Sequence, residues 1–278
     1  MAKSATPADL QIKPRDLHID REAPTPRWWL NGDPFGTAVM NALSLTFPDG
    51  ERFFIQSVKR FAKDAPPALA ADIRAFTVQE GAHTREHMAF NAITERAGYD
   101  TAEIEAYVTA RLDIARARPA LAQLAATMAL EHFTAAFAHR LLADPELLKG
   151  SPHDLARLWR WHSIEEIEHK GVAYDVFLHA TRDLSPLKRW RIRRWAMFLT
   201  TLLFTRTVRE TTFMLLKQDG IVGWRARLGL FRWLWLKPGL YRRMIGDYLA
   251  FYKPDFHPWQ VDDRDLIADA EAGLAQPA

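Results

Sequence analysis

The sequence predicts an all-α protein: a four-helix bundle followed by an additional basic, tryptophan-rich helical region. Three observations carry that expectation. Apolar positions recur at helical spacing through most of the 278 residues. The pattern Glu-x-x-His occurs twice inside such stretches, as Glu80-x-x-His83 and Glu166-x-x-His169. Between Leu187 and Ile245, 14 Lys and Arg stand against only Glu210 and Asp219, a local +12 in a chain whose net charge is +3, so the remainder is acidic.

Composition narrows the chemistry. At 48% hydrophobic content the chain can bury a large core. With no cysteine, disulfides, thiolate metal sites and cysteine nucleophiles are all excluded, and any metal must be held by oxygen and imidazole. The stretch Met1 to Asp20 is polar and lacks the apolar segment of a secretory signal, so the expected location is the cytoplasm, extending to the inner face of the membrane through the basic region.

Taken in order, residues 1–36 hold Pro14, Pro24, Pro26 and Pro34 beside Trp28 and Trp29, which suits an extended arm lying on the domain. Residues 37–185 form the bundle. A helix over about Thr37 to Leu45 is expected to stop at Phe47-Pro48-Asp49-Gly50, with the first bundle helix starting beside Glu51 and capped by Asp49. The second runs from about Ala68 to Ala97, stopped by Gly98. A crossover helix capped by Thr101 follows, then the third bundle helix from about Pro119 to Leu142, and the fourth from the Ser151-Pro152 start to about Thr181.

Residues 186–254 are the basic amphipathic region. Its apolar run Trp195 to Thr205 is too short for a bilayer span, which needs about 20 residues. Residues 255–278 form an acidic tail expected to fray at its end.

On a helix His162, Glu166 and His169 share one stripe at i, i+4 and i+7. Glu51 shares its face with Phe54, Ile55 and Val58, and Glu131 shares its own with Leu124, Thr127 and Met128, so both carboxylates point toward a core. A four-helix two-metal site takes one Glu from each of two helices and Glu-x-x-His from each of the other two. The candidate ligands are therefore Glu51, Glu80, His83, Glu131, His162, Glu166 and His169. His87 lies on the face of Glu80 and His83 and is expected to support a ligand rather than bind metal. Glu86, His132, Glu165 and Glu168 point away by about 100° per residue, toward salt bridges or solvent.

The order Glu51, Glu80-x-x-His83, Glu131, His162-x-x-x-Glu166-x-x-His169 resembles the ferritin-like di-iron carboxylate superfamily. With His162 it resembles the seven-ligand arylamine N-oxygenases. The wider text, Gln79-Glu-Gly-Ala-His83-Thr-Arg-Glu-His87 and Trp161-His162-Ser-Ile-Glu-Glu-Ile-Glu-His169-Lys, also resembles a bacterial family labelled "predicted metal-dependent hydrolase". These resemblances span about residues 40–185.

The resemblance implies two iron ions, with manganese or zinc as alternatives, Glu80 and Glu166 as bridges and Glu51 and Glu131 as terminal ligands. It implies an oxygen-dependent di-iron oxidoreductase that uses O2 and an external electron donor on a small apolar or lipid-like substrate. A hydrolase using metal-held water, and a non-catalytic metal-binding bundle, are the alternatives. The basic region has no counterpart in the N-oxygenases. Packing on the bundle and contact with an anionic membrane both suit it, whereas it carries no nucleic-acid-binding motif.

Overall fold

The computed structural model describes residues 6, 7 and 9–274, and all regular structure among them is helical. Helices α1 (Pro34–Lys59) and α2 (Pro67–Arg96) pair as one hairpin, and α4 (Ala120–Ala143) and α5 (His153–His169) as a second. Helix α3 (Ala102–Arg116) joins them. Contacts of α1 with α4 and of α2 with α5 close the bundle. A short α6 (Val172–Ala180) follows, then the 33-residue α7 (Pro186–Gln218), which lies against both α1 and α4. Helix α8 (Gly223–Phe231) continues through a π-helical turn over Arg232–Leu236, α9 (Leu240–Ala250) packs on α4, and α10 (Arg264–Leu274) packs on α5.

Proline 48 does not divide α1. The expected break over Phe47-Pro48-Asp49-Gly50 is absent, and the helix starts at Asp33, whose side chain accepts from the Phe35 N–H. A proline inside a helix frees the carbonyl four residues back. Here that carbonyl belongs to Ser44, and Asn91 Nδ2 of α2 donates to it at 3.4 Å. Asp49, expected as a cap, instead pairs with Arg52 and accepts from Thr109. Thr101 is likewise no side-chain cap: Asp100 accepts from the Ala102 N–H, while the Thr101 hydroxyl donates to Glu95.

The fourth bundle helix, expected to run on to Thr181, is interrupted after His169. At Gly171 a Cβ would lie 2.8 Å from Thr6 Oγ1 and 2.9 Å from the Trp259 ring, so arm and C-terminal segment wedge into the break. The tail does not fray over its described length. Asp263 is buried between Lys170 and His139, and Ile267 joins Ile164, Ile167 and Trp259 in a core cluster. The end at 275–278 lies outside the described residues, as do residues 1–5 and 8 of the arm.

The described arm is a strap whose alternate residues face the bundle, as an extended chain requires. Lys13 and Arg15 donate their backbone N–H to Glu168 and Glu165, and Ile19 donates to Glu86. These three carboxylates, expected at the surface or in salt bridges, are therefore buried, and Arg15 pairs with Glu165 and Glu168.

The basic region is divided between packing and exposure. Arg193 is buried and donates to Tyr174 and to the carbonyls of Lys253 and Phe256, while Trp190 donates to the Tyr252 carbonyl. Trp233 is buried in the main core cluster, and at Gly229 a Cβ would strike the Phe35 ring at 2.0 Å, so α8 closely approaches the first turn of α1 there. No described helix is long and apolar enough to cross a membrane.

Candidate metal centre

Four helices deliver the seven candidate ligands to one place. Glu51 comes from α1, Glu80 and His83 from α2, Glu131 from α4, and His162, Glu166 and His169 from α5, and all seven are buried. Spacing explains the delivery: i+3 and i+4 positions lie on one helix face.

Two of the carboxylates span the cluster. Glu80 turns Oε1 to His169 Nε2 at 3.3 Å and Oε2 to His83 Nδ1 at 3.9 Å. Glu166 does the same, with Oε1 2.8 Å from His162 Nε2 and 3.8 Å from His83 Nδ1, and Oε2 3.4 Å from His169 Nε2. Glu131 Oε2 lies 3.4 Å from His169 Nε2. The donor atoms fall into four overlapping groups, Glu80 with Glu131 and His169, Glu51 with Glu80 and His83, His83 with His162 and Glu166, and Glu51 with His87 and His162, so His87, expected only to support a ligand, also stands within reach of the cluster.

Hydrogen bonds outside the cluster settle which nitrogens face in. His83 Nε2 donates to Glu165 at 3.0 Å, leaving the Nδ1 lone pair inward. His169 Nδ1 donates to Gln79 Oε1 at 3.0 Å, and Gln79 Nε2, bonded to Glu168, fixes that amide's orientation. For His162 the sense comes through a chain. Asn91 Nδ2 donates to the Ser44 carbonyl, so its Oδ1 accepts the Ser44 hydroxyl proton. Ser44 Oγ then accepts from His87 Nδ1 at 2.9 Å, and neutral His87 accepts through Nε2 from His162 Nδ1 at 2.6 Å. His162 Nε2 is left as a lone pair 2.8 Å from a Glu166 oxygen. Two acceptors at that distance need a cation or a proton between them. His87, with both nitrogens engaged, holds His162.

The donor set fits metal binding. Of the fourteen buried side-chain polar atoms without a hydrogen-bond partner among the described residues, eight belong to Glu51, Glu80, His83, Glu131, Glu166 and His169. Uncompensated buried charge costs several kcal/mol per ion. Burial accordingly pushes Glu51, Glu80 and Glu131 well above the usual carboxylate range, the neighbouring carboxylates adding to it for Glu80 and Glu131, and it pushes His83 and His87 well below the usual imidazole value. Glu166 is the exception: burial raises it, but His169 and His162 outweigh that and hold it low. Bound cations would relieve this crowding of acceptors.

A groove of about 1220 Å³ opens beside the cluster, between α1 and α4 on one side and α7–α9 on the other. Phe47 and Thr134 stand in its inner wall. The Phe47 ring packs on His87 and His162, with centroids 4.7 and 4.9 Å apart, and Thr134 sits one turn beyond Glu131. None of the seven candidate ligands lines the groove, which approaches the cluster as far as Phe47 and Thr134.

An all-helical protein enclosing a carboxylate–imidazole cluster of this kind is of the metal-binding class. Over residues 13–262 the chain matches the family described as predicted metal-dependent hydrolase, and it belongs to that family. No curated protein and no solved structure matches it.

Proposed function

We propose that the chain is a two-metal enzyme acting on an apolar substrate that reaches the centre through the groove. The observation that carries this reading is the pair Glu80 and Glu166, each turning one oxygen toward either half of the cluster. Glu131 and His169 would complete one metal position, and Glu51, His83 and His162 the other. Two divalent ions held there supply Lewis acidity toward water and substrate, and iron in addition supplies electrons to O2.

The chain's own residues do the rest. Glu165 and Gln79 hold His83 and His169 in the tautomer a metal requires, and His87 does so for His162. Phe47, packed on His87 and His162 at the inner end of the groove, offers the substrate a hydrocarbon surface beside the cluster and limits water there, and its ring would have to turn aside for the reacting group to reach the metal positions.

Metal-dependent hydrolysis is the first reading, since membership of the family supports it. Oxygen-dependent iron chemistry is the second, favoured by two Glu-x-x-His helices that place every candidate ligand on helices of one enclosed bundle. One comparison separates them. A hydrolase loaded with zinc turns over long-chain p-nitrophenyl esters without oxygen, and Glu131→Ala abolishes it. The iron reading instead expects the zinc form to be inert and the ferrous form to consume O2. Activity in neither form overturns both.

A further inference from the structure

The half of the basic region that does not pack on the bundle is exposed in an ordered way. Along α7, Trp195 (70% exposed), Phe198, Leu199 and Leu202 form a continuous apolar stripe bracketed by Arg194 and Arg206, both exposed. From α8 to α9, Trp224 (69% exposed), Phe231, Trp235 and Ile245 present further exposed apolar side chains among Arg225, Arg227 and Arg232. Large side chains turned outward in such number are rare on a protein that meets only water. Tryptophan and arginine together suit the headgroup boundary of a bilayer.

Part of each set borders the groove, while Trp195, Phe198, Leu199 and Trp224 extend the exposed apolar face beyond it. Leu202, Arg206, Arg227, Phe231, Trp235 and Ile245 line the groove from the outside, and Phe47 closes it on the inside. Its volume exceeds the range of about 300–1,000 Å³ usual for small-molecule pockets, and its lining is mainly aliphatic and aromatic, so it suits a long chain better than a compact metabolite. The +12 charge of this region complements anionic headgroups, where each Lys or Arg near the surface strengthens attachment.

We propose that the exposed α7–α9 face seats the protein on an anionic bilayer, and that the groove takes the acyl chain of an anionic lipid from it. Arginines at the mouth hold the headgroup while the chain extends toward Phe47. The destination of that chain rests on the two-metal reading; the seating does not.

The test uses full-length, metal-loaded protein and vesicles of phosphatidylglycerol with phosphatidylcholine, against vesicles of phosphatidylcholine alone. Sedimentation is expected to show at least tenfold preference for the anionic vesicles, weakened by salt. Brominated acyl chains are expected to quench tryptophan fluorescence. The double substitution Trp195→Asp, Leu202→Asp, at exposed positions, is expected to remove both signals, while Val78→Asp, exposed on α2, retains them. Protein re-isolated from the vesicles carries phosphatidylglycerol, and Thr205→Trp, placed in the groove lining, lowers that load without preventing sedimentation.

Equal binding to both vesicle types, or binding indifferent to the α7 substitutions, overturns the seating. Re-isolated protein free of lipid overturns the groove assignment. Because none of these signals needs turnover, an inactive protein that still binds and carries lipid refutes the reaction class and supports this inference.

Discussion

Glu165 shows how much of the centre depends on residues that touch no proposed metal position. It is buried, accepts from His83 Nε2 at 3.0 Å, and is itself held by the Arg15 N–H at 2.7 Å. Replacing it by Leu removes the partner that fixes the His83 tautomer. Such supports are worth roughly 10- to 100-fold in metal affinity. Glu165→Leu should therefore weaken metal binding by about that factor in a chelator competition, with helical circular dichroism unchanged. The convergence of the candidate ligands was legible because helical periodicity is local: Glu80 and His83, or His162, Glu166 and His169, declare a common face within two turns. Their supports were not. The partner of His83 is 82 residues away on another helix, and the backbone strap that buries Glu165 carries no periodic signal of its own.

At the scale of elements, local rules misjudged α1 and α5 for the same reason. A proline within a helical pattern reads as a stop because a carbonyl loses its donor. The donor came from Asn91, whose side chain also anchors Ser44 and, through it, His87 and His162. Asn91→Leu should cost about 1–3 kcal/mol in denaturant unfolding, the penalty for unsatisfied buried polar groups, and should also lower metal occupancy. A loss confined to stability would separate the helix repair from the histidine chain. In α5 the break after His169 falls at Gly171, where Thr6 and Trp259, the latter 88 positions further on, leave no room for a side chain. Docking of α8 has the same character. Gly229→Leu should dislodge it from Phe35, read as new protease cleavage between α7 and α9, because the added side chain has no space there.

For the molecule as a whole, a metal held as proposed would compete with protons for the same carboxylates. Burial raises Glu51, Glu80 and Glu131 above their ordinary value of 4.5, and raises Glu165 to about 7. A raised folded-state value means that the stability contribution is full below about 4.5 and is lost as pH rises through the folded value, for Glu165 between about 4.5 and 7. Glu166 runs the other way, held low by His169 and His162. Metal requires the ionised forms, so its stabilisation grows over the rise that weakens the metal-free fold. The gap in Tm between loaded and chelated protein should be wider at pH 8 than at pH 5. A gap independent of pH would mean that these carboxylates are not the ligands.

The central claim is a pair of metal positions bridged by Glu80 and Glu166, and metal stoichiometry tests it most directly. Protein reconstituted with ferrous iron or zinc and freed of excess metal should hold two ions per chain by elemental analysis, the number set by a bridged four-helix site. Glu131→Ala or His169→Ala should lower the ratio toward one, and Glu166→Ala, which removes a bridge, should lower it further. A wild-type ratio of one or none, or a ratio of two that survives all three substitutions, would contradict the account.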